Sequence, residues 1–367
     1  MNREIFLMAG EASGDARGAE LIRALKARDP SLSFSGMGGP KMHEAGMEIL
    51  ADVSDLAVVG IVEVLKHYAL FKRTMDQLLL EIQRRQPAVV IGVDYPGFNL
   101  RLLRKVRDLH SASKTKIKTV QYVSPQLWAW DERRKWAMAN YLDLVLCIFP
   151  FEPEVYDGTG LKAVFVGHPL SQSAVYEESG RDPNLAGLFP GSRERELHFH
   201  MPVFAELEEN LKRSHPRLQC AYACTNDRMA SIIKSYSAQA RIEKPEHLHR
   251  AANVGVVCSG TATLEAALSG LPMCVVYRVA WPTYWMGRLL IKVPFLAMPN
   301  LLAGTAIVRE FIQSECTASN LAAEVDRLLN DPATRKTILS GYRQIRGKLG
   351  RGKAAENAAD EILKLLA

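Results

Sequence analysis

The first residue in this chain that could do chemistry is an acid at the end of a buried strand. Val89 to Val93 read as a core strand that stops at Asp94, and a Tyr-Pro-Gly turn follows, with Asn99 suited to cap the next helix. A carboxylate there is either a cap for the next helix or a base held at the strand's open end. Three other loops have the complementary chemistry, anion binding. GEASGD (10–15) joins a strand to a helix. Glu11 places an acid just before the positive end of that helix, and Ser13 or Asp15 is suited to cap it. In FPGSRERE (189–196), Gly191 permits close backbone approach, while Ser192 and the planar donor fork of Arg193 suit phosphate oxygens. Glu194, Arg195 and Glu196 read as a solvated helix start. In CSGTATLEAALSG (258–270), Ser259, Gly260 and Thr261 open a helix whose free N–H groups favour phosphate. Glu265, one turn further in, suits the two hydroxyls of a ribose. Ser-Gly-Thr is also an ordinary helix cap, and the dinucleotide spacing G-x-G-x-x-G is absent from the first loop.

Weaker signals lie elsewhere. MPNLLAG (298–304) offers Asn300 among apolar residues. Trp128 and Trp130 in YVSPQLWAW read as core or wall residues before sugar platforms. His168 either faces a site or packs at a domain boundary. His198 and His200 are two apart on an expected helix, share no face, and make a poor metal pair. The six cysteines are scattered: Cys147, Cys258 and Cys274 sit in apolar runs as buried thiols, Cys220 and Cys224 lack the second pair a zinc site needs, and the pattern fits a reducing compartment.

These loops need strands to carry them. Short apolar runs alternate with helical patterns: IFLMAG, then GDARGAELIRALKARD, then SFSGMGG, with the amphipathic FKRTMDQLLLEIQRRQ stopped by Pro87. AVVIGVD, KTVQYVSP and LDLVLCIFP continue the strand series. Fully apolar strands alternating with helices imply a parallel α/β sheet covered on both faces. After Val166 the chain turns polar and rich in Gly, Ser, Asp and Pro, which marks a domain boundary. LAGLFPGS, LQCAYACT, NVGVVCSG and PMCVVYR then build a second alternating series, and AAENAADEILKLLA ends the chain as a helix. Two doubly wound domains facing a cleft are expected, over 1–168 and 169–344. In such sheets ligands bind beyond the carboxyl ends of the strands.

Composition is ordinary for a globular chain, with 48% hydrophobic and 23% charged residues over 367 positions. The net charge of +6 separates neither an anionic ligand, a membrane surface nor nucleic acid. The N-terminus has too short an apolar run for a signal peptide, and no run is long enough to span a bilayer. Two stretches, 56–73 and 281–300, mix large hydrophobes with Lys, Arg or His, a pattern that suits either core packing or a lipid-facing surface.

As an ordered set, GEASGD, GVDYPGFN, YVSPQLWAW, PFE, VGHPL, PGSR, SGTATLE and PNLLAG resemble the lipid-A-disaccharide synthases, glycosyltransferases of lipopolysaccharide assembly in Gram-negative bacteria. The resemblance runs from about residue 5 to about residue 315. It implies a glycosyltransferase-B fold of two Rossmann-like domains, the first binding acceptor and the second UDP-sugar, with no cofactor and no required metal. It implies transfer from UDP-2,3-diacylglucosamine to 2,3-diacylglucosamine 1-phosphate (lipid X), with inversion at the anomeric carbon. By the same resemblance Asp94 is the base, and Arg193, Ser192 and the Ser259–Gly260–Thr261 turn hold the diphosphate. Glu265 holds the ribose, Asn300 positions the reacting sugar or diphosphate, and Glu11 and Ser13 form the acceptor loop. It further implies a cytoplasmic enzyme on the anionic inner face of the inner membrane, a C-terminal segment, 345–367, that packs back on the first domain or swaps between the subunits of a homodimer, and no nucleic-acid partner. The chain departs from the family pattern in a short link before PGSR, a compressed segment between ACTND and VVCSG, and Arg309 where proline is usual. The rival readings are another glycosyltransferase-B enzyme with a UDP-sugar and a lipid-linked acceptor, a sugar-nucleotide epimerase, and a non-catalytic anion- or membrane-binding protein.

Overall fold

The apolar runs become the inner strands of two parallel sheets. The structure is a computed structural model that describes residues 3–52, 63–110, 117–173, 180–291, 293–350 and 352–367. The first sheet contains β1 (Glu4–Ala9), β2 (Ser33–Gly38), β3 (Glu48–Asp52), β4 (Val89–Val93), β5 (Lys118–Tyr122), β6 (Leu144–Cys147) and β7 (Lys162–Phe165). Its order is β3-β2-β1-β4-β5-β6-β7. The second sheet contains β8 (Asp182–Phe189), β9 (Gln219–Ala223), β10 (Arg241–Glu243), β11 (Ala252–Cys258), β12 (Met273–Tyr277) and β13 (Glu310–Ile312), in the order β10-β9-β8-β11-β12-β13. Both follow the doubly wound pattern, and each strand order reverses once, between β1 and β4 and between β8 and β11.

The central strands are buried on both faces, so their sequences lose the two-residue alternation. Each such Val, Ile or Leu contributes roughly 1.5–3 kcal/mol by leaving water. The strands that the sequence did not announce, β3, β7, β10 and β13, are the four sheet edges. Two of them have only three residues, and all four are partly exposed, so they need no long apolar run.

The chain divides into one unit of Met1–Gln172 with Leu349–Ala367, and another of Ser173–Lys348. The returning segment therefore starts at Leu349 rather than 345, because the helix Pro332–Lys348 runs to its end inside the second unit. The last helix, Ala354–Leu366, lies on the helix Ala12–Arg28 of the same chain. Its buried face is Ala354, Ala355, Ala358, Ala359 and Ile362, and these small side chains let two backbones approach closely. Asn357 Nδ2 donates to the Val166 carbonyl at 2.9 Å, and Arg28 Nη2 to Asp360 Oδ2 at 3.1 Å.

Among the described residues no helix is long and apolar enough to cross a membrane. All six cysteines are free and buried. The apolar stretch 56–73 lies outside the described residues over 56–62. At its far end Phe71 packs edge-on against the buried Phe98, with ring centroids 4.7 Å apart.

Candidate active site

The four loops singled out by composition all leave the carboxyl ends of the strands at the two reversal points. GEASGD follows β1 and GVDYPGFN follows β4, and these strands are paired with Ala9 opposite Val93. PGSR follows β8 and SGT follows β11, which pair with Phe189 opposite Val257. A reversal point is where neighbouring connections leave for opposite faces of the sheet and open a crevice between them.

In the first unit, Asp94 N–H donates to the Tyr122 carbonyl at 2.8 Å, so the residue still lies in line with β5. Its φ of 54° and the 43° of Tyr95 are left-handed, and Pro96 then opens the helix Pro96–His110. Two successive left-handed residues turn the chain sharply and leave the Asp94 carboxylate partly exposed beyond the sheet. The carboxylate is ion-paired with Arg17, four residues after Ser13 on the helix Ala12–Arg28. Glu11 occupies the N-cap position of that helix in extended conformation without a capping side-chain bond, and both Glu11 and Ser13 are exposed. Asp15 does not cap its own helix. It is buried, and it accepts from Gly39, Lys41 and Met42 N–H at 2.8, 3.0 and 3.0 Å, capping the helix Pro40–Glu44 instead. The structure thus brings Glu11, Ser13, Arg17 and Asp94 to one edge.

Asn99 is likewise not a cap. The helix has already begun at Pro96, and the fully buried Asn99 amide points back to the strand ends. Two strands along, Glu152 of the PFE motif follows β6. It accepts from Ile148 and Phe149 N–H at 3.0 Å each, and burial lifts its carboxyl to about 7. Trp128 donates to the same carboxylate at 3.3 Å and packs edge-on against Phe151, so it is a wall residue. Trp130 is exposed beneath Arg134. His168 is buried and faces Phe149. Burial, then the nearby Arg17 charge, push it down to about 3, and its Nδ1 accepts from Leu170 N–H at 3.1 Å.

In the second unit, Arg193 is the N-cap residue of the helix Glu194–Ser214, and its side chain is 81% exposed. Glu196 is not merely solvated. Its Oε2 accepts from Ser192 and Arg193 N–H at 2.8 and 3.2 Å, and its Oε1 accepts from Arg193 Nη1 at 3.0 Å. The carboxylate therefore sits where an anion would engage those amides. Gly191, at φ 124°, leaves it room, since a Cβ there would lie 2.6 Å from Glu196. His200, buried on the same helix, bridges two loops: its Nδ1 lies 2.9 Å from the Pro190 carbonyl and its Nε2 accepts from Arg278 N–H at 3.0 Å. His198 points to Tyr236 on the surface, so no shared metal face exists.

Ser259 donates its hydroxyl to the Leu296 carbonyl at 2.9 Å, and Gly260 precedes the helix Thr261–Leu268 with no side-chain cap on its first N–H groups. Glu265 is held above the ordinary carboxyl value, by burial first and by Glu246 second. His249 lies beneath it with Nδ1 3.9 Å from the carboxylate, stacked on Phe189 with centroids 4.7 Å apart.

Asn300, expected to position the reacting sugar or diphosphate, has instead the setting of a scaffold residue. It is completely buried and its amide is spent internally. Nδ2 donates to the Val308 carbonyl and Glu310 Oε1 at 2.9 and 2.8 Å, while Oδ1 accepts from Ile307 and Val308 N–H at 2.8 and 2.9 Å. Glu310 in turn accepts from Leu296 and Ala297 N–H, and Leu296 is the residue that holds Ser259. Asn300 thus supports the SGT loop at a distance. Nothing in the local pattern marks Glu310, Glu196 or His200 as partners. Arg17 had one, its position one helical turn after Ser13. Arg309, where proline is usual, stacks over Phe311 with its guanidinium 4.8 Å from the ring centroid.

A family model described as lipid-A-disaccharide synthetase matches residues 5–362. The chain belongs to the lipid-A-disaccharide synthetase family. It is 38% identical to the lipid-A-disaccharide synthase of Geobacter sulfurreducens, covering 100% of this chain and 98% of that one. It is 34% identical to the synthase of Coxiella burnetii, over 100% and 99% of the two chains. Members of this family are glycosyltransferases, and the family implies a UDP-sugar donor and a lipid acceptor. Solved structures agree on the fold. The calicheamicin glycosyltransferase CalG4 superposes with a TM-score of 0.61 at 14% identity, covering 100% and 98%. A UDP-GlcNAc 2-epimerase from Neisseria meningitidis gives 0.65 at 11% identity, covering 98% and 100%. The fold is therefore of the glycosyltransferase-B type that the resemblance implied, and its two doubly wound sheets are those expected from the alternating sequence.

Proposed function

We propose that the chain joins UDP-2,3-diacylglucosamine to the 6-hydroxyl of lipid X, giving the β-1,6-linked disaccharide 1-phosphate and UDP. The observation that carries this reading is the family match over residues 5–362, which includes all four reversal-point loops. In this reading the first unit binds acceptor and the second binds donor. Asp94 removes the O6 proton as O6 attacks the anomeric carbon. The carbon–oxygen bond to the diphosphate breaks from the opposite side, so the α-linked donor yields a β-linked product. Negative charge collects on the departing UDP. Ser192, Arg193 and the N–H groups at Gly260 and Thr261 face that charge, and Glu265 takes the ribose hydroxyls. Glu11 and Ser13 hold the acceptor beside Asp94.

Acylated substrates require a lipid-facing surface, and the helix Trp281–Leu290 supplies one. It buries no residue, and Trp281, Trp285 and Leu289 are 53%, 60% and 83% exposed, with Arg288 beside them. Large apolar side chains with a cation on one exposed helix suit an anionic membrane face. We place the chain on the cytoplasmic face of the inner membrane. The later part of the same greasy stretch, Ala297 to Asn300, is buried and belongs to the scaffold.

The test is to supply both lipids to purified protein and follow UDP and disaccharide. Both should form, and a folded protein with no turnover removes the assignment. Asp94→Asn should cut kcat by about 10²- to 10⁴-fold, the usual contribution of a general base, while UDP still raises the melting temperature.

A further inference from the structure

Three strained backbone positions cluster at the ends of β4 and β5. Asp94, Tyr95 and Val123 have φ of 54°, 43° and 71°. Left-handed conformation is uncommon for a non-glycine residue and a marked outlier for β-branched valine. Such strain persists only where the surroundings over-determine it.

Two buried amides provide that determination. Asn99 Nδ2 donates to the Asp94 carbonyl at 2.7 Å and lies 3.2 Å from the carbonyls of both Met8 and Val93. Gln121 Nε2 donates to the Asp94 carbonyl at 3.0 Å and to the Val123 carbonyl at 3.2 Å. Both side chains are fully buried. Every near neighbour of each amide nitrogen is a carbonyl oxygen, so the donor end must face them. The amides arrive from different elements, Asn99 from the helix after β4 and Gln121 from β5, yet meet on one oxygen. Gly92 makes this possible, because a Cβ there would lie 2.7 Å from Gln121 Oε1 and 2.8 Å from Asn99 Cβ.

We infer that Asn99 and Gln121 are positioning residues for the transfer reaction, acting together through the backbone of Asp94. With its carbonyl held from two sides, the left-handed turn cannot relax toward the ordinary β region. The carboxylate is thereby fixed on the acceptor edge beside Arg17, Glu11 and Ser13. The clamp also reaches Val123, so the ends of β4 and β5 are set as one piece. Neither amide touches substrate. This inference rests on the reading of Asp94 as the base.

The experiment is a double-mutant cycle with the two proposed lipids as substrates. Gln121→Met removes the donor at nearly constant volume, and Asn99→Leu removes the other. Gln121→Asn, which withdraws the amide by one methylene and keeps a polar side chain, serves where either fails to fold. Each folded variant should lose about 10- to 100-fold in kcat, the scale expected of a reacting group displaced by about 1 Å. KM for both lipids and the UDP-induced shift in melting temperature should be unchanged. In an Asp94→Asn background the same substitutions should cost nothing further, because the group they position is gone. Additive losses in that background, or losses confined to KM, overturn the clamp. Near-normal turnover of Asp94→Asn alone overturns the base reading instead, so the two failures are distinguishable.

Discussion

Arg17 and Glu152 show how single side chains acquire roles that residue type alone does not indicate. Arg17 is one of 46 Lys and Arg residues, and only its place one turn into the first helix sets it against Asp94. Glu152 lies in a short motif with no clear chemistry until the chain folds over it. Burial then raises its carboxyl from 4.5 to about 7, against the opposing hydrogen bonds from Phe149, Trp128 and Ile148. A folded-state pKa above the unfolded one means that the native protein holds the proton more tightly between those values. The associated stability is fully present below about 4.5 and is lost as pH rises through 7. Glu152→Gln has no such titration. Its stability relative to the unmodified chain should therefore climb with pH across that window, by at most about 1.4 kcal/mol per unit, and level off above it. Urea midpoints of both proteins at pH 5, 6, 7 and 8 measure this. A constant difference across the series would mean that Glu152 does not titrate in this range.

At the scale of elements, the two ends of the second unit's site behave differently. The helix Glu194–Ser214 begins with a reciprocal cap, in which Glu196 satisfies the amides that precede it. Glu196→Ala should cost about 1 kcal/mol of stability as the cap is lost. The same change frees two N–H groups and an arginine, so UDP should raise the melting temperature more in the variant than in the parent. An equal shift would separate this helix start from the diphosphate site. The short helix Met298–Ala303 works the other way, with Asn300 turned inward to hold the strand-entry loop before β13. Asn300→Ala leaves two buried N–H groups and a carboxylate without their partner, a loss of about 2–4 kcal/mol. For a unit of this size that is a fall of about 5–10 °C in melting temperature, read by calorimetry. A variant that melts normally yet has lost activity would return Asn300 to the substrate.

Over the whole molecule, the chain crosses from one unit to the other and comes back. Leu349 begins the return, and His168 N–H donates to its carbonyl at 3.0 Å. The first unit is therefore completed only by the last residues of the sequence. The exposed apolar helix Trp281–Leu290, which we propose meets the membrane, belongs to the other unit. Replacing Trp281, Trp285 and Leu289 together by serine should abolish co-sedimentation with vesicles containing anionic phospholipid. The melting temperature should hold, because none of the three is part of the core. Unchanged vesicle binding would move the lipid-facing surface elsewhere.

The local pattern of the sequence was sufficient for the two doubly wound sheets and for the four loops at their reversal points. Strands buried on both faces must be apolar throughout, and a loop that approaches an anion must be rich in Gly, Ser and Thr. Those demands act on consecutive residues and so can be read along the chain. Edge strands such as β10 and β13 escaped because partial exposure relaxes the demand for apolar side chains. The partners of the site residues were decided only by tertiary structure. Asp94 meets Arg17 across 77 positions and Gln121 across 27, while Asp15 turns away from its own helix to cap another. Asn300 shows the limit most plainly: its motif marks it for the site, but hydrogen bonds to Val308 and Glu310 place its amide in the scaffold. A side chain's direction depends on which carbonyls and amides the fold leaves unpaired nearby, and no local pattern records that.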